Sequence, residues 1–158
     1  MSDPAHDVID QENMFAPLLE ADPSFAPIWE EFLTDWRDEP PPLPLYLALG
    51  DLARHLTAKL QAGDTEAFSG VFRVVERWHV EGDTYVRQAA TIGVLEGLQN
   101  TNNHETTKPE QFIPWLGPVS RRYWGKVDAF WNQGILIRDD DVIVRTTAKK
   151  KKRWLWFG

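Results

Sequence analysis

Residues 83–100 read DTYVRQAATIGVLEGLQN. Val86, Ala89, Ala90, Gly93 and Gly97 recur there at steps of three and four, the spacing that stacks side chains on one face of a helix. Ile92, Val94, Leu95 and Leu98 fill most of the remaining circumference. A helix that is apolar nearly all round is predicted to be buried. Asp83 and Thr84 can cap its start by accepting hydrogen bonds from free N–H groups. The polar run from Asn100 to Asn103 ends it. A glycine inside a helix costs about 1 kcal/mol relative to alanine, so Gly93 and Gly97 predict a second helix packed closely on that stripe. Both therefore read as structural.

Working outward, every neighbouring segment carries the same period. On the N-terminal side, Phe68, Val71, Phe72, Val75, Trp78 and His79 share one face of a helix. Asp64-Thr65-Glu66 opens it and Gly82 closes it. Leu45 to Ala62 carries a stripe of Leu45, Leu49, Leu52, Ala53, Leu56 and Leu60, with Gly63 as its C-terminal stop. Phe25, Ile28, Trp29, Phe32, Leu33 and Trp36 mark a further helix, ended by Pro40, Pro41 and Pro42. A short amphipathic helix is predicted over 11–21. On the C-terminal side a short helix is read over 110–116. A longer one follows over 118–131, with Tyr123, Trp124, Val127, Phe130 and Trp131 on its apolar face. Short links between such helices favour antiparallel neighbours. Ile135 to Arg138 and Val142 to Arg145, separated by three aspartates, read as a short β-hairpin. The expected fold is mainly α, an antiparallel helical bundle forming one domain over 1–158. Residues 1–10 are expected to be loosely attached, and 135–158 to form the hairpin or an appended tail.

Composition narrows the classes. No apolar run approaches the roughly 20 residues that span a bilayer, and MSDPAHDVIDQEN lacks a secretory-signal pattern. With no cysteine there is no disulfide framework, zinc-thiolate site or thiol nucleophile. A cytoplasmic location is the expectation. The net charge of −7 is unevenly placed. Residues 1–40 hold eleven acids and one base, Arg37, while the rest of the chain nets +3. That sign disfavours general nucleic-acid binding and favours steering of a basic partner to the acidic half.

Asp83, Val86, Arg87, Ala90 and Leu95 resemble the second-helix pattern of HEAT-type repeats, D-x-x-V-R-x-x-A followed by leucines. The match covers about one helix, with a partner at 66–81. In that family the Asp and Arg brace neighbouring repeats, which implies structural roles for Asp83 and Arg87. The wider pattern has LGDLARHL at 49–56, VEGD at 80–83, LEGLQN at 95–100 and WLGPVSRRYW at 115–124. It looks like a group of small, uncharacterised bacterial helical proteins, some of which resemble immunity proteins for secreted toxins.

Three constellations could carry chemistry. Glu76 and His79 form Glu-x-x-His, the ligand spacing of di-iron helical bundles, but the second such motif those sites need is absent. The competing reading is a core-edge His79 bonded to backbone or to Glu76. Asp51 and His55 lie one turn apart, opposite the leucine stripe, and are expected to face solvent. Glu96 beside the small-residue stripe must find a partner if buried; holding a loop's N–H groups is favoured over acid–base catalysis. The tail KKKKRWLWFG combines five cations with alternating aromatics. It reads as a last strand in preference to a membrane contact.

The leading expectation is a protein-binding module without a cofactor, most specifically an immunity protein that occludes a basic toxin domain. Its contact surface is predicted at Glu30, Glu31, Asp35, Asp38 and Glu39, with Asn102, His104 and Glu105 on the long polar loop. A metal or acid–base enzyme using Glu76, His79 and Glu96 is the alternative, and a peripheral membrane protein anchored by its tail is the third.

Overall fold

A computed structural model describes residues 8–137. The chain order is α1 (Phe15–Ala21), a 3-10 turn (Pro23–Phe25), α2 (Ala26–Trp36), α3 (Leu45–Gln61), α4 (Phe68–Glu81), a central rod, and α7 (Pro118–Gln133). The rod has three pieces: α5 (Thr84–Gln88), a π-helical stretch (Ala89–Leu95) and α6 (Glu96–Gln99). 3-10 turns at Thr101–Asn103 and Pro109–Trp115 join the rod to α7. The protein is therefore a helical bundle, as the periodicity predicts.

The rod is the element the others pack around. All seven residues of its π-helical stretch are buried. A Cβ on Gly93 would lie 2.6 Å from Leu49 Cδ1, and one on Gly97 would lie 2.7 Å from Ala53 Cβ. The glycines thus admit α3 to the rod's surface, which is the close approach their cost predicts. Because Leu49 meets Gly93 and Ala53 meets Gly97, α3 and the rod run in the same direction, with α4 between them in sequence. Against α4, by contrast, α1 is antiparallel: Trp78 Nε1 donates to the Met14 carbonyl at 3.1 Å, while Ala21 lies over Gly70.

Several local readings change. The rod is not one continuous α-helix: its middle widens into a π-turn, a form that sequence period alone does not reveal. The helix expected from Asp64-Thr65-Glu66 begins only at Phe68. The short helix read over 110–116 is of the 3-10 kind and spans Pro109–Trp115. Ile135 to Ile137 carry no strand; the rest of the hairpin and the whole basic tail lie outside the described residues. Within the stretch expected to be loosely attached, Ile9 is buried. It pairs with Gly82, receiving from Asp83 N at 2.9 Å and donating to Glu81 O at 3.0 Å.

The core runs continuously from Met14 through the rod to Phe130. Aromatic rings supply much of it, with Phe15 stacked on Trp29 at 4.3 Å and Trp115 edge-on to Phe68 at 4.9 Å. Trp131 breaks the expected pattern. Its spacing puts it on the apolar face, yet it is 41% exposed.

Candidate functional site

Polar side chains collect at three places, and two of them lie at opposite ends of α7. At its start, Gly117 supplies no capping side chain and Pro118 occupies the first turn. The free N–H groups there need an acceptor from elsewhere. Glu76 on α4 provides it, taking Val119 N at 3.0 Å and Ser120 N at 2.8 Å. Gly117 is what lets the carboxylate in, since a Cβ there would sit 2.5 Å from Glu76 Cδ. Burial pushes the Glu76 carboxyl up. The two main-chain donors, the Ser120 hydroxyl and His79 outweigh it, so Glu76 titrates below its ordinary value of 4.5.

His79 completes this node. Its Nδ1 is hydrogen-bonded to Ser120 Oγ at 3.0 Å and its Nε2 to Thr91 Oγ1 at 3.1 Å. Thr91 comes from the π-helical stretch, so the histidine ties α4, α7 and the rod together. Tyr123 stacks on its ring at 5.2 Å, and Lys126 Nζ lies over the tyrosine ring, 4.5 Å from its centroid. Both ring nitrogens are engaged, and not by the backbone or Glu76 contacts the spacing suggests. Among the described residues, no cluster of three or more His, Asp and Glu is placed to hold a metal.

The second node surrounds Asp22, which is 1% exposed. It accepts from Ser24 N at 3.1 Å and from the Ser24 hydroxyl, and it pairs with His55 Nε2 at 3.0 Å and Lys59 Nζ at 3.2 Å. His55 is therefore turned toward α1 and α2, correcting its expected solvent-facing position; Phe25 packs on it as well. Ser24 also meets His55 Nε2, at 3.1 Å. A nucleophilic triad needs the acid and the hydroxyl on different ring nitrogens. Here both use Nε2, so the trio fastens the α1–α2 turn to α3. Burial raises the Asp22 pKa, but the bonds from Ser24, Lys59 and His55 outweigh it and leave it below 3.8.

The third place is open. A cleft of about 690 Å³ lies between the C-terminal half of α7 and the end of the rod. Trp124 and Trp131 form its aromatic walls, with Asp128 and Asn132 beside them. Gln99, Asn100, Asn102 and Glu110 line the opposite side. Its polar groups are only partly used. Gln99 Nε2 donates to the Trp124 carbonyl at 3.0 Å, Asn132 Nδ2 to Asp128 Oδ1 at 2.8 Å, and Asn100 Oδ1 accepts from Asn102 N at 3.0 Å.

The predicted site residues fall into separate groups. Glu30, Glu31, Asp35, Asp38 and Glu39 are all exposed, and none pairs with a cation among the described residues. Asn102 is exposed on the cleft. His104 is half-buried and tied to Thr107 at 2.8 Å and the Leu98 carbonyl at 2.9 Å, which makes it a loop brace. Glu105 is exposed and its main-chain N–H binds Gln61 Oε1. Asp83 Oδ1 caps Val86 N at 2.9 Å, and Arg87 reaches Thr84 on the same turn at 3.5 Å. Glu96 is 1% exposed. Neither Glu76, His79 nor Glu96 lines the cleft. A loop-holding carboxylate is present before α7, and it is Glu76. An uncapped Gly117-Pro118 helix start was the signal for it.

No helix among the described residues is long and apolar enough to cross a membrane. The family model described as a domain of unknown function, DUF7674, matches residues 15–132, about three quarters of the chain. The chain belongs to that family. No curated protein and no solved structure matches it.

Proposed function

We propose that this DUF7674 chain is a protein-binding module whose partner is basic. The observation that carries the reading is the row of exposed carboxylates Glu30, Glu31, Asp35, Asp38 and Glu39, unpaired among the described residues. Charges left without internal partners cost the fold through mutual repulsion and attract an oppositely charged surface, accelerating association at low salt. The most specific form of the proposal is immunity: the acidic face covers the active site of a toxin domain and blocks it by occlusion. A HEAT-like pairing of α4 with the rod belongs to the same proposal, as the rigid frame that presents this face.

Two features weigh against the enzyme alternative. Glu76 and His79 spend their bonding capacity on Val119, Ser120 and Thr91, and the open cleft contains neither. The test is purification from the native host with charge reversal at Glu30→Lys, Glu31→Lys and Asp35→Lys. The expected result is a stoichiometric basic protein bound to the parent chain, inhibited by it in its own reaction, and released by the triple variant with unchanged circular dichroism. Association should also slow markedly between low and physiological salt, because surface charges are screened beyond roughly 8 Å there. A partner held equally well by the triple variant would overturn the reading.

A further inference from the structure

We infer that the cleft between Trp124, Trp131 and the end of the rod is a guanidinium site, which takes an arginine side chain of the protein partner. The argument starts from what the cleft leaves unused. Among the described residues no lysine or arginine lines it, and two carboxylates, Glu110 and Asp128, do. Glu110 has no partner among the described residues. Asp128 has one oxygen on Asn132, leaving Oδ2. Gln99 and Asn132 have each committed an amide N–H, which leaves their oxygens. The free groups are thus mostly acceptors with a net negative charge, beside an exposed indole.

That combination selects among ligand classes. An anion is repelled. A neutral sugar could stack on Trp131, but it gains nothing from the uncompensated charge. An ammonium satisfies the charge with three donors around one point. A guanidinium is planar, carries five donors and stacks on aromatic faces, so it alone uses ring, charge and the spread of acceptors together. The Asn100 and Asn102 amides remain as donors for the carbonyls of the flanking main chain. A volume of about 690 Å³ accommodates a side chain with that flanking segment, within the usual range of ligand clefts.

This inference rests on the basic-partner reading, but its test uses no partner. The intact chain is titrated with acetyl-Gly-Arg-Gly-amide while the indole N–H signals are followed by NMR, Trp131 being assigned through Trp131→Phe. Saturable shifts of Trp131 are expected at a Kd on the order of 1 mM. The lysine counterpart should bind at least about fivefold more weakly, given the loss of stacking and of two donors. Asp128→Asn combined with Glu110→Gln should weaken the arginine peptide at least about tenfold, with Trp131→Ala as an independent second variant. Equal affinity for the lysine peptide, binding of a neutral disaccharide in its place, or no saturable shift would overturn the site. If the peptide binds but the acidic-face variants keep their partner, the proposed function fails alone; if those variants lose it and the peptide does not bind, the cleft fails alone.

Discussion

The two ends of α7 use the same kinds of side chain to opposite effect. At the N-terminal end a carboxylate, a histidine and two hydroxyls close on one another and on main-chain donors, inside the protein. At the C-terminal end two carboxylates and four amides stand around an open cleft with acceptors to spare. A buried polar group must find its bonds within the fold, so the first set is committed to architecture. The second set is under no such constraint, and what it lacks inside can be supplied from outside. Glu-x-x-His looks the more chemical of the two in sequence; the structure reverses that order.

The sharpest way to break the comparison is to remove the acceptor at α7's start. Glu76→Ala leaves Val119 N and Ser120 N without their partner and should cost about 3 kcal/mol, given roughly 1.5–3 kcal/mol for bonds to a charged group and the penalty for orphaned donors. Urea denaturation measures it, and a loss below about 1 kcal/mol would make the node ornamental. The pH dependence follows with a definite sign. The folded pKa of Glu76 lies below its ordinary 4.5, so the carboxylate's contribution is complete above that value and is lost as pH falls through the depressed folded pKa. Glu76→Gln should flatten this acid limb, leaving the similar contribution of Asp22 below 3.8.

A smaller effect is expected one bond further in. Ser120→Ala keeps the main-chain donation to Glu76 but removes the hydroxyl that both Glu76 and His79 Nδ1 use, for a loss of about 1–2 kcal/mol. Gly117→Ala should cost a similar amount, about 1–2 kcal/mol, because its methyl enters the space of the Glu76 carboxylate. Combining Gly117→Ala with Glu76→Ala should then cost less than the sum, since residues in contact are not additive. Thermal or urea unfolding of the three variants gives the coupling.

How much of this could be read from the chain divides along the same line. The helices were legible because burial writes its period into sequence: the stripes of α3 and α4 and the glycines of the rod lie where spacing put them. The π-turn was not, since a widened turn changes hydrogen bonding while leaving residue types unaltered. Glu76 was visible as a residue but not as a cap, because its partners are forty-three and forty-four positions away. Asp22 and His55 suffered the same blindness, being joined across thirty-three positions. The five carboxylates of the acidic face are exposed, and a charge run needs no internal partner to be explained. The cleft had no local signature: it exists only where Gln99, Glu110 and Asp128 converge from three segments.

The smallest predicted effect on the fold is the one that most sharpens the contrast. Asp128 is exposed in the C-terminal half of α7. Its bond among the described residues, from Asn132 Nδ2, is kept in Asp128→Asn, whose amide oxygen also accepts. Asp128 lies more than one turn from the end of α7, beyond the reach of the helix dipole, so neutralising it should leave stability within about 0.5 kcal/mol of the parent. The same substitution in the guanidinium titration should weaken the arginine peptide several-fold, by about 1 kcal/mol for one charge-assisted bond at a partly exposed site. A carboxylate that the fold does not need, and that a cationic ligand is worse without, acts outward. Destabilisation by more than about 1 kcal/mol with unchanged peptide affinity would assign Asp128 to the fold instead and erase the difference between the two ends of the helix.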